Sequence, residues 1–185
     1  MRASNVVQVP LGVDLDMFRP SLRSRQLRDD LTRGARTVLV HCSRLSPEKE
    51  PGRAVEALRG LVNAHGLDAR LVVIGDGPER TSLQRDAADL PVDFLGFESD
   101  RARVAQTLAV ADVVIAPGPL ETFGLAALEA LGCGTPVVVS ASGALAEIVV
   151  GDEGAVVEDT PAAFAAGVLD VLQAPEATIG RPRPG

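Results

Sequence analysis

Apolar residues along this chain fall in short bursts separated by longer amphipathic stretches. The bursts are "TVLVHCS" (Thr37 to Ser43), "ARLVVIG" (Ala69 to Gly75), "VDFLGF" (Val92 to Phe97), "DVVIAP" (Asp112 to Pro117), "TPVVVS" (Thr135 to Ser140) and a weaker "GAVVE" (Gly154 to Glu158). Continuous β-branched runs of this length read as strands buried on both faces. Between them, apolar positions recur three and four residues apart. "GRAVEALRGLVNAH" (Gly52 to His65) puts Val55, Leu58, Leu61 and Val62 on one helical face. "PERTSLQRDAADL" (Pro78 to Leu90), with Pro78 suited to a first helical turn, also reads as a helix. So do "RARVAQTLAVA" (Arg101 to Ala111), a segment starting near Thr122 or Phe123, and "PAAFAAGVLDVL" (Pro161 to Leu172). Strand and helix alternate about six times. Parallel strands need a helical crossover to return, so the pattern predicts an α/β fold: a doubly wound parallel sheet of about six strands.

The two ends read differently. Residues 1–36 read as a lead-in segment and linker, with a possible strand at "VVQVP" (Val6 to Pro10) and a charged helix or solvated linker from Ser21 to Arg36. Residues 37–173 form the domain. The Pro/Gly-rich tail "APEATIGRPRPG" (Ala174 to Gly185) reads as disordered. Hydrophobic residues make up 46% of the chain but aromatics only 3%, with no Trp or Tyr, so Val, Leu, Ile and Ala must build the core. A net charge of −7 argues against broad nucleic-acid binding, which needs cations along a backbone. One phosphorylated ligand needs only a local positive site. Cys42 and Cys133 lie in no CxxC or His/Cys cluster and read as buried free thiols in a reducing interior. There is no apolar run of the ~18 residues that span a bilayer and no opening signal peptide, so the expected location is cytoplasmic.

In a doubly wound sheet the ligand lies outside the carboxyl ends of the strands. The loop after the first strand, "SRLSPEKEPG", carries Arg44 and Lys49 near a helix start. Two cations and a helix N-terminus can form an anion site, unless Glu48 and Glu50 neutralise both. "GDGPER" places Gly75 and Gly77 where backbone can approach a ligand, or in a plain tight turn. It lacks the third glycine of a dinucleotide fingerprint. Gly96 and Phe97 end a strand at the same rim; Phe97 lies against a base or packs in the core. "APGPLETFGLAALEAL" leads from a strand end into a helix, with Glu121 just before it, Gly124 and Leu125 in its first turn and Glu129 about two turns in. Apolar neighbours surround Glu129. A buried carboxylate there needs a partner, either a ligand diol or a nearby Arg. His41 reads as core and His65 as helix surface.

Taken together, "ETFGLAALE", "SRLSPEKE", "GDGP", "LGVDLDMFRP" and "GTPVV" resemble the C-terminal domain of the retaining "group 1" glycosyltransferases. The resemblance covers most of Val6 to Leu172 and is similar in detail to actinobacterial mannosyltransferases. It implies a Rossmann-like domain, one half of a GT-B fold, that binds a nucleoside-diphosphate sugar, with GDP-mannose favoured. It also implies roles. Arg44 and Lys49 would hold the diphosphate without a metal or other cofactor, and Glu129 the ribose hydroxyls. Glu121, with the backbone of Phe123, Gly124 and Leu125, would position the sugar. Gly75, Gly77, Gly96 and Phe97 would frame the base. The acceptor oxygen would attack from the leaving-group side, helped by the departing phosphate. The partners implied are an acceptor-binding N-terminal domain absent from this chain and, for the whole enzyme, the inner membrane surface. An exposed interdomain face would allow self-association. Ser43 and Glu50 replace glycines of the family pattern. An epimerase of the same fold and a non-catalytic nucleotide-binding module stand as alternatives.

Overall fold

Six strands form one sheet in which every pairing is parallel: β1 (Thr37–Cys42), β2 (Ala69–Ile74), β3 (Val92–Gly96), β4 (Val113–Ala116), β5 (Val137–Ser140) and β6 (Gly154–Val157). The order across the sheet is β3-β2-β1-β4-β5-β6. The computed structural model describes residues 12–120, 124–149 and 153–174. The possible strand at Val6 to Pro10 and the tail beyond Ala174 lie outside these residues, as do Glu121 and Phe123.

The apolar bursts work because each strand feeds two cores. Side chains alternate across a strand, so Val38 and Val40 enter one layer while Leu39 enters the other, and Val137 and Val139 oppose Val138 in the same way. One layer is closed by α2 (Pro51–Asn63) and α6 (Pro161–Gln173), through Leu58, Leu61, Phe164 and Val168. The other is closed by α4 (Arg101–Val110) and α5 (Leu125–Gly132), through Leu108, Ala109 and Ala130. The aliphatic and alanine-rich composition therefore serves a sheet whose central strands are covered on both faces, with Leu95 of β3 and Val156 of β6 exposed at its edges.

The helix alternative holds for the charged stretch before β1, and two other local expectations change. The charged stretch before β1 contains α1 (Arg25–Thr32), and it packs rather than dangles. Arg28 donates to the Val110 carbonyl at 2.8 Å and to Asp112 at 2.9 Å, and Arg23 donates to the Ala109 carbonyl at 2.8 Å. Ahead of it Phe18 is fully buried in the α4/α5 layer. The helix expected from Pro78 to Leu90 is only α3 (Arg80–Asp86), and Pro78 lies in the turn before it. Helix α5 starts at Leu125, later than Thr122 or Phe123, so Glu129 is its fifth residue and stands little more than one turn in. Gly124 caps α5 with φ of 59°, and a Cβ there would meet Leu145 Cδ2 at 1.9 Å. That packing, together with a left-handed backbone, fixes where the helix begins.

Candidate functional site

From β1 the chain winds to β2 and β3 on one side; from β4 it winds to β5 and β6 on the other. Loops leaving β1 and β4 therefore diverge, and a crevice opens between them at the carboxyl ends. The structure has a cleft there of about 300 Å³, counting its open mouth. Its floor is His41 to Ser43 at the end of β1. Its walls are Lys49, the strand exit Ala116 to Gly118, and the start of α5 at Gly124 and Ala126.

The loop after β1 carries both predicted cations, but on different terms. Lys49 ends a 3-10 turn (Pro47–Lys49) and lines the cleft. Arg44 is exposed on the same loop. Both acids of this loop have direct partners. Glu48 accepts from the Ser46 hydroxyl at 2.6 Å, and that bond leads in holding its carboxyl below the usual range, Arg44 and Lys49 adding less. Glu50 lies 3.5 Å from Arg53. Across the cleft, α5 presents its N-terminal turn; Ala127 N–H there already donates to the Gly124 carbonyl at 2.9 Å, which leaves Leu125 and Ala126 as the groups of the kind a helix end offers to a ligand. Arg53 braces this wall: its guanidinium donates to the Pro117 carbonyl at 2.6 Å and lies 3.6 Å from Asp159, beyond β6.

Gly75 and Gly77 serve a neighbour. A Cβ on Gly75 would fall 1.8 Å from the Ser43 carbonyl oxygen, and one on Gly77 2.3 Å from that of Leu45. The Leu45 N–H donates to the Asp76 carbonyl, the Glu79 N–H to the Leu45 carbonyl, and the Gly75 N–H to the Gly96 carbonyl. The two glycines let the β2 exit lie flush against the loop that carries Arg44. Phe97, by contrast, is 78% exposed, which excludes packing in the core.

Glu129 has the partner its burial demands. Its side chain is 8% exposed, and its Oε1 accepts from Arg101 Nη2 at 2.7 Å. Arg101 opens α4 and lies over the Phe18 ring, 5.1 Å from its centroid. Their charges are felt at Cys42 on the cleft floor. The Cys42 thiol is pushed up to about 12, first by burial, then by Glu129, with Arg101 opposing. Sequence reasoning left an arginine partner open but could not choose it, because 28 residues separate the pair.

His41 is buried as expected, yet it is also cleft floor. Nδ1 faces the Ile115 carbonyl at 2.9 Å and so carries the ring proton; Nε2 accepts from the Ser43 hydroxyl at 2.8 Å. Burial depresses its pKa below the ordinary 6.5, outweighing the Ile115 bond. The unfolded chain thus takes up a proton that the native state refuses, and stability must fall as pH drops below 6.5. One proton sets the ceiling of that slope at ~1.4 kcal/mol per pH unit. Denaturant midpoints between pH 7 and 5 should show this decline, and a folded His41→Gln variant should not.

The fold and the cleft define a doubly wound sheet with a loop bearing Arg44 and Lys49 at its switch point. The model of the family Glycosyl transferases group 1 matches residues 23–178, and the chain belongs to that family. It is 52% identical over 174 residues to a GDP-mannose-dependent alpha-(1-6)-phosphatidylinositol dimannoside mannosyltransferase of Mycobacterium tuberculosis, covering 94% of this chain and 45% of that protein. It is 38% identical over 146 residues to a D-inositol 3-phosphate glycosyltransferase of Mycobacteroides abscessus, covering 72% and 31%. The chain thus spans less than half the length of these curated relatives. Among solved structures, the C-terminal domain of the group 1 family protein LpcC from Francisella tularensis superposes with a TM-score of 0.74 at 26% identity, covering 91% of each chain. Anabaena Alr3699/HepE, solved with UDP and glucose, gives 0.76 at 26%, covering 91% of this chain and 47% of that one. The expected half of a GT-B fold is what these neighbours share.

Proposed function

We propose that this domain binds the nucleoside-diphosphate sugar of a retaining hexosyltransferase. One observation carries the reading: Lys49 and the N-terminus of α5 line the same switch-point cleft. A diphosphate seated there meets Lys49, Arg44 from the same loop and the helix N–H groups, which together supply countercharge without a metal. Gly124 and Leu125 give the backbone donors, with Glu121 and Phe123 beside them in sequence. Glu129 receives the ribose hydroxyls. Gly75 and Gly77 hold the rim in shape, and Gly96 and Phe97 frame the base.

GDP-mannose is the favoured donor, because the mycobacterial relative bears that dependence in its name. A lipid or glycan acceptor would be held by a second, N-terminal domain, facing the exposed Phe97, Leu120 and Leu125. Such an apolar face also offers a route to self-association. The full enzyme would work in the cytoplasm at the membrane's inner face; among the described residues no helix is long and apolar enough to cross a membrane. Transfer needs both domains, so this chain alone binds without turnover.

Calorimetric titration with GDP, UDP, GDP-mannose and UDP-glucose tests the proposal. GDP and GDP-mannose should bind and both uridine ligands should bind at least about tenfold more weakly, a difference of ~1.4 kcal/mol. Indifference to all four would overturn the reading.

A further inference from the structure

Glu129, Arg101 and Phe18 come from three distant segments, yet they form one stack beside the cleft. Phe18 is fully buried and presents its ring to the Arg101 guanidinium at 5.1 Å. Arg101, 59% exposed, reaches over that ring to Oε1 of Glu129 at 2.7 Å. The arrangement has a chemical logic. A buried carboxylate cannot wait for a neutral diol to offset its charge, since an empty site would leave it unpaired. A guanidinium on one oxygen supplies the countercharge and tethers that oxygen, while the second oxygen keeps its acceptor capacity. An aromatic seat limits the rotamers open to a half-exposed arginine and adds a cation–π attraction. Lysine would supply the charge without the planar fork.

On the reading of Glu129 as the ribose acceptor, we infer that Arg101 is a positioning residue for ribose recognition: seated on Phe18, it holds Glu129 Oε1 so that Oε2 meets the sugar hydroxyls. Arg101 then touches no reacting atom. It acts through Glu129, and its loss should erase discrimination between hydroxylated and deoxygenated ribose more than it weakens binding of the phosphates. This gives the "MFRP" lead-in a task in recognition as well as in packing.

The test is the affinity ratio of GDP to 2′,3′-dideoxy-GDP, with UDP and 2′,3′-dideoxy-UDP run in parallel, for the whole chain and its Arg101→Ala and Arg101→Lys variants. Thermal melts confirm that each variant is folded. Wild type should prefer the ribonucleotide at least tenfold. Arg101→Ala should bring the ratio below about threefold while still melting cooperatively, at a lowered temperature because Glu129 loses its countercharge, and Arg101→Lys should fall between them. A full wild-type ratio retained in Arg101→Ala overturns the inference and leaves the donor-site proposal standing. So does tighter ribonucleotide binding by Arg101→Ala, which would make the arginine a competitor for Glu129. A wild-type ratio near one, with nucleotide still bound, removes Glu129 as the hydroxyl reader and the inference with it. Failure of wild type to bind any nucleotide defeats the donor-site proposal itself.

Discussion

Gly75→Ala should unfold the carboxyl rim and cost the domain at least ~3 kcal/mol. Two effects add. The backbone at Gly75 has φ of 134°, a region that a side chain makes costly by roughly 1–3 kcal/mol. The new Cβ would also lie 1.8 Å from the Ser43 carbonyl oxygen, a backbone atom with no rotamer to yield. Relief requires the β1 and β2 exits to separate, which breaks the Ser43 N–H bond to Ile74 and the Leu45 N–H bond to Asp76. For a domain of this size ~3 kcal/mol corresponds to a drop of about 6–12 °C in melting temperature, readable by calorimetry. Gly12→Ala is a fitting control, because nothing lies within 4 Å of a Cβ there. Equal melting temperatures for Gly75→Ala and wild type would show that the two loops are not locked together.

Lys49→Ala should weaken GDP binding by roughly 10- to 100-fold, the ~1.5–3 kcal/mol of a hydrogen bond to a charged group. Lys49 lines the cleft itself, whereas Arg44 is exposed beside it, so Arg44→Ala should cost less unless the ligand draws that side chain inward. The two losses should add if the cations grip different phosphate oxygens, and fall short of additivity if they share one. Titration at two salt concentrations separates charge from shape: wild-type affinity should fall with salt, and the Lys49→Ala affinity should fall less steeply. Guanosine without phosphates should be indifferent to either change. Equal GDP affinity in Lys49→Ala and wild type would remove the diphosphate from this cleft.

The sheet was legible because each strand is apolar on consecutive residues, a pattern that only burial on both faces explains. β1 and β5 show it directly, with Val38 and Val40 opposite Leu39, and Val137 and Val139 opposite Val138. Helix α2 was legible through Val55, Leu58 and Leu61, which all enter the core. The start of α5 was not. Its boundary is set by Gly124 packing on Leu145, a contact across 21 positions that no local propensity encodes. The packing of the lead-in was hidden in the same way, since Arg23 and Arg28 are charged in sequence and find carbonyls of α4 only in space. At the site, the loop alone left Lys49 open between an anion site and neutralisation by Glu48 and Glu50, and the structure puts it on the cleft. The glycines of "GDGP" were expected either to let backbone approach a ligand or to make a plain tight turn; what approaches them in the structure is the neighbouring loop. Arg101 carried no signal: an arginine at the start of a helix is ordinary, and its partner Glu129 belongs to another helix.

The buried Phe18 also sets where this fold can be divided. A recombinant fragment beginning at Thr37, the first residue of the sheet, would lack the ring that fills the α4/α5 layer and the arginines that tie off the end of α4. It would carry all six strands of the described sheet and still have a hole in its interior. Domain swaps between relatives should therefore join ahead of Val13, so that the whole approach to the sheet travels with it.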